Sequence, residues 1–224
     1  MARRELAHIK SGRWLWGYSI AAACILYLSD SEQVNAAEEC ADLYKAISAQ
    51  HTEATHKLKR DSDAFYRSMH ELENALFSAL QQCPQHPLLF TLMAENQIAF
   101  NNHQLANVYA QKAHQQQPDL WQTNHVLGTT LVMQQKYEKG LSLLKRAVQI
   151  APQRSALHFN LCSSYVLSGR YQQAVETCSS LLKKKGHELH AEIYLQRSLA
   201  YKALDKISLA DEDFSRSRAF SKNR

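Results

Sequence analysis

This sequence predicts an all-α chain built of repeated helical hairpins, on three observations. Prolines stand at 84, 118 and 152, each 34 residues after the last, and one further step reaches Gly186. Six Gly and four Pro in 224 residues leave long stretches without a breaker, too few turns for a strand-rich fold. Between these breaks each segment holds an apolar stripe at helical spacing, a short polar gap and a second stripe. With 45% hydrophobic residues the chain can bury a core.

The chain opens with a basic segment, residues 1–13, where Arg3, Arg4, Lys10 and Arg13 stand against Glu5. An uncharged apolar run follows, "WLWGYSIAAACILYLS" at 14–29, and then Asp30, Glu32, Glu38 and Glu39. Positive charge before an apolar run and negative charge after it predict a cytoplasmic amino terminus and an exported remainder. Sixteen helical residues reach roughly 24 Å, short of a hydrocarbon core of about 30 Å, with Trp14, Trp16 and Tyr27 suited to the interfaces. Two readings follow for residues 14–29: a retained transmembrane anchor, or a signal h-region cleaved near Ala36, where "VNA" offers small residues. Residues 30–37 read as a linker.

Residues 38–83 contain no Gly or Pro and place apolar residues at Leu43, Ile47, Ala54 and Leu58, then Phe65, Met69, Leu72, Leu76 and Leu80. They form either one long helix or a helical hairpin broken near "RDSD", with Asp61 or Ser62 capping the second helix. The cysteines favour the hairpin. Cys40, Cys83, Cys162 and Cys178 are an even number in a chain read as exported. Cys40 and Cys83 meet in a hairpin but lie about 65 Å apart in a single helix.

Beyond Pro84 the repeat is explicit. Small residues recur in the first helices at Ala94, Gly128 and Cys162 and in the second at Ala106, Gly140 and Ala174, where two backbones would cross closely. His103, Tyr137 and Tyr171 open the second helices, and Ala113, Ala147 and Leu181 fall where the next hairpin would pack. Cys162 and Cys178 lie on facing helices near one crossing point, as a second bridge or as two packed thiols.

This order of small, aromatic and proline positions resembles the tetratricopeptide repeat, a 34-residue helix-turn-helix. The resemblance covers residues 84–220, in repeats at about 87–120, 121–154, 155–188 and 189–220, and leaves a tail at 221–224. In the last repeat Ser198, Tyr201, Ala210 and Phe214 take the expected core roles. The resemblance implies a right-handed solenoid of about four repeats, preceded by the 38–83 hairpin and an N-terminal hydrophobic helix, whose first helices line a concave groove for segments of other proteins. By the family pattern that groove is lined by Thr91, Glu95, Ile98, Gln122, His125, Thr129, Met133, Phe159, Asn160, Ser163 and Leu167. Met133, Phe159 and Leu167 offer packing; Gln122 and Asn160 offer hydrogen bonds to a main chain. Some relatives clamp a terminal carboxylate with Lys, Arg and Asn, and here only Asn160 suits that role.

Signatures of catalysis are missing. No phosphate-binding glycine loop or nucleophile elbow occurs, and "HELH" at 187–190 lacks the spacing of a helical zinc motif. The eleven histidines are dispersed, so neither a metal nor a cofactor is expected. The formal charge of +5 is spread along the chain, with Lys183–Lys185 a solvated helix end, which argues against a nucleic-acid partner. The expectation is a non-enzymatic scaffold in the bacterial inner membrane, single-pass through residues 14–29, with a periplasmic repeat domain holding a segment of another envelope protein. The alternatives are a form secreted to the periplasm, or a structural subunit docked through its helix faces.

Overall fold

The computed structural model describes residues 30–57, 62–183 and 190–222. The basic segment 1–13 and the apolar run 14–29, read as anchor or signal, lie outside the described residues, as does Gly186. No helix among the described residues is long and apolar enough to cross a membrane.

Ten α-helices and no strand occur among these residues. They are α1 (Asp30–Lys57), α2 (Asp63–Gln82), α3 (Pro87–Ala99), α4 (His103–Gln116), α5 (Trp121–Met133), α6 (Tyr137–Ile150), α7 (Ser155–Leu167), α8 (Tyr171–Leu182), α9 (His190–Ala203) and α10 (Ile207–Lys222). Consecutive helices pair as five antiparallel hairpins. Two boundaries differ from the sequence reading: α1 begins at Asp30 and takes in the supposed linker at 30–37, and α10 runs into the supposed tail. Residues 30–39 carry no apolar stripe but also no breaker, and their Ala, Glu and Gln content sustains a helix that is solvated from Asn35 to Glu39.

The turns explain the period. Pro84, Pro118 and Pro152 each sit between a second helix and the next first helix, and in each case a backbone N–H closes the turn: His86 to Cys83, Leu120 to Gln117, Arg154 to Ala151. Proline suits these sites because the helix must stop there. At the other end of each hairpin, Asn101, Gln135, Gly169 and Asp205 adopt positive φ. The following N–H reaches back to a carbonyl of the last helical turn, as in Asn102 to Gln97, Lys136 to Leu131, Arg170 to Tyr165 and Lys206 to Tyr201. One Schellman-type cap is thus built four times.

Close helix crossings depend on the small residues. A Cβ on Gly128 would stand 2.9 Å from the Gly140 carbonyl oxygen, and one on Gly140 would stand 2.8 Å from that of Gly128. The leading hairpin α1–α2 follows the same plan. Ser62 caps α2 by accepting from the Phe65 N–H (3.1 Å), Ala79 holds the place of Ala113 and Ala147, and α1 touches α3 as well as α2. Cys40 and Cys83 are joined with Cα atoms 5.9 Å apart, and Cys162 and Cys178 are joined across α7 and α8 with Cα atoms 5.7 Å apart.

Stacking gives the molecule its curvature. First helices touch first helices of the next hairpin (α1 to α3, α3 to α5, α5 to α7, α7 to α9), whereas among the described residues no second helix touches another second helix. The first helices therefore form the inner, concave side of a solenoid. At the far end Phe214 departs from its expected core role: it occupies the place of the buried Leu144 and Cys178 but is 47% exposed, because no described hairpin follows α10.

Candidate functional site

The concave side holds a row of polar side chains contributed by four successive first helices. His51 comes from α1, Glu95 from α3, His125 from α5 and Asn160 from α7. The Asn160 amide nitrogen lies 2.6 Å from His125 Nε2, and with Asn160 donating, the ring proton sits on Nδ1. That Nδ1 faces Glu95 Oε1 at 3.9 Å, while His51 Nε2 faces Glu95 Oε2 at 3.8 Å. The row is partly shielded: side-chain exposure is 15% for each histidine and 29% for Glu95. Burial pushes the Glu95 carboxyl up to about 7 and holds the His125 imidazole down to about 4, so the histidine is neutral at pH 7.

The row is flanked by polar atoms that lack partners. Thr129 Oγ1, one turn from His125, and Ser163 Oγ, one turn from Asn160, are buried without a hydrogen bond, and so is Gln122 Oε1 near the start of α5. Such atoms are costly to bury unless something satisfies them. Apolar residues bound the row. Phe159 and Met133 are half-buried, and Leu167, at the end of α7, is 62% exposed. Of the residues expected to line the groove, Glu95, His125 and Asn160 come together, and Gln122 and Met133 lie at opposite ends of α5. Ile98 is half-buried and packs against the core cluster that contains Ala94 and Leu131. Thr91 is buried, with its hydroxyl returned to the Pro87 carbonyl (3.1 Å), and presents nothing to a ligand.

His51 is the member of the row that the repeat pattern missed, because α1 precedes the first proline mark. His158 is structural: its Nε2 bonds the Pro152 carbonyl (2.9 Å), as the Asn124 amide bonds that of Pro118 (2.6 Å). Among the described residues no group of three or more His, Cys, Asp or Glu side chains is arranged to hold a metal ion.

A second surface lies at the open end. Leu195, Leu199, Ile207 and Phe214 line an apolar depression of about 290 Å³ between α9 and α10, bordered by Lys202 and Asp211. Beneath it Arg197 grips Asp213 through two bonds (2.6 and 2.8 Å) and donates to Ser179 (2.9 Å), locking α8, α9 and α10 together.

Residues 131–194 match a family model described as tetratricopeptide repeat. No curated protein matches the sequence. Solved structures share the fold at low identity. MamA from Desulfovibrio magneticus is 14% identical, covering 82% of this chain and 97% of its own, with a TM-score of 0.58. YrrB, titled a TPR protein with an unusual peptide-binding site, is 15% identical, covering 78% and 93%, with a TM-score of 0.55. A thermophilic TPR protein of Thermus thermophilus is 20% identical, covering 68% and 82%, with a TM-score of 0.57. The family match at the centre and the shared fold over most of the chain together support a tetratricopeptide repeat architecture.

Proposed function

We propose that this protein is a non-enzymatic interaction scaffold that holds an extended segment of another protein in its concave groove. One observation carries this reading: the row from His51 to Asn160 lies along the inner helices, with the exposed Leu167 two turns beyond Asn160 on α7. A polar row beside an apolar anchor suits a peptide main chain with one or two large side chains. YrrB, which shares the fold, is described as a TPR protein with an unusual peptide-binding site. The scaffold is tethered to a membrane and exposed in the bacterial envelope. Supporting this are the basic and apolar front of the sequence and two disulfide pairs, which suit an oxidising compartment. Met133→Asp with Leu167→Asp is expected to abolish capture of the partner while circular dichroism shows unchanged helicity. Retained capture would refute the groove.

A second reading, a subunit docked through helix faces, draws on the apolar open end at Leu199 and Phe214. In-cell photocrosslinking separates the two: adducts from position 167 but not from Lys145 or position 199 favour the groove, and adducts from 199 alone favour docking.

A further inference from the structure

Several charged side chains elsewhere in the described structure find partners within it. Arg197 and Asp213 satisfy each other, and on the outer surface Arg146 pairs with Asp119 and Arg170 with Glu138. Glu95 differs. Neither of its oxygens accepts a hydrogen bond among the described residues; the two imidazoles stand at 3.8 and 3.9 Å, beyond bonding distance. The groove positions themselves, from Thr91 to Leu167, include no Lys or Arg. A half-shielded carboxylate thus sits on the inner helices with no Lys or Arg counter-charge paired with it among the described residues, in a place where a charge-assisted bond would be strong.

We propose that Glu95 receives a lysine or arginine side chain of the segment held in the groove, while a large apolar residue of the same segment seats on Leu167. The proposal rests on the groove reading above and names the chemistry of its ligand. Charge complementarity chooses the cation: His51 and His125 offer ring edges around the carboxylate, and Asn160 fixes the His125 tautomer so that its proton faces Glu95. α3 and α7 are separated by two steps between first helices. At 8–10 Å per step this is roughly 16–20 Å, the span of about five or six extended residues. The ligand motif is therefore a cationic residue five or six positions from Leu, Ile, Met or Phe.

Binding of a cation requires an ionised Glu95, which burial disfavours below about pH 7. The groups facing it are His51 from α1 and His125 from α5; Glu73 of α2 takes the Gln97 amide instead (2.6 Å), and no charge on α2 or α4 adds to the shift. Affinity should therefore fall about tenfold between pH 8 and pH 6.

The test is an array of random 12-residue peptides probed with the full chain, disulfides intact, followed by titration of the best binders. Binders are expected to share the motif, to lose roughly ten- to a hundredfold affinity to Glu95→Gln, and to lose pH dependence in that variant. Leu167→Asp should weaken them all. If binding depends on Leu167 but neither on Glu95 nor on pH, the cation is wrong and the groove stands. If binding is indifferent to both residues, or no peptide binds, both readings fall.

Discussion

Glu95 carries a cost whose pH window is defined. Its carboxyl titrates near 7 when folded against an ordinary 4.5, so the folded chain holds that proton more tightly than the unfolded chain. The cost is absent below 4.5, grows as the pH rises through the window to about 7, and is complete above it. His125 runs the other way: its folded value lies near 4 against 6.5, so its cost is absent above 6.5 and grows as the pH falls towards 4. Glu95→Gln should raise stability by about 3 kcal/mol at pH 8, roughly 6–12 °C in Tm, with the gain gone by pH 4.5. Thermal melts of both chains across pH 4.5–8 would show it, and a gain that does not vary with pH would refute the assignment. The three residues of the row were named one by one in the sequence, since Glu95, His125 and Asn160 all fall on expected groove positions. Their contact was not, because it joins Glu95 to a residue a turn earlier in register, His125, and His125 to one a single position later, Asn160, and only the stagger of the stack reveals that.

Each hairpin depends on two devices of different visibility. The crossing of α5 and α6 was legible because Gly128 and Gly140 recur with Ala94, Ala106, Cys162 and Ala174 in small-residue register, and the structure places the two glycine backbones against each other. Gly140→Ala would drive its methyl into the Gly128 carbonyl and the Val132 backbone, and should cost roughly 1–3 kcal/mol by chemical denaturation. The left-handed caps at Asn101, Gln135, Gly169 and Asp205 were not legible, because three of the four are not glycine and no residue type repeats. A Cβ at Gly169 meets nothing within 4 Å, so Gly169→Ala pays only for its backbone angle, about 1–2 kcal/mol. The reverse change, Gln135→Gly, should stabilise by about 1 kcal/mol. The hairpin at residues 38–83 was inferred from its cysteines, while its membership of the stack needed the α1 to α3 contact.

At the scale of the whole molecule, stability is a sum of hairpins and their nearest-neighbour contacts, so no single core holds the chain. The two disulfides act on this sum at separate points. One closes 43 residues at the leading hairpin and the other closes 16 within the third repeat hairpin. Chain entropy assigns them about 4 and about 3 kcal/mol. Reduction should therefore lower the unfolding midpoint in denaturant, and Cys40→Ser with Cys83→Ser should account for the larger part. An unchanged midpoint on reduction would refute that role.

The Cys40–Cys83 bridge also decides how the molecule would carry a load. Tension entering through the early turns of α1 passes at Cys40 into sulfur, crosses to Cys83 and continues into the Pro84 turn and α3. The rest of the leading hairpin hangs beside that route as a slack branch, about 150 Å of contour that covalent bonds keep from paying out. A pull on the amino-terminal side of α1 is thus coupled directly to the helix that bears Glu95.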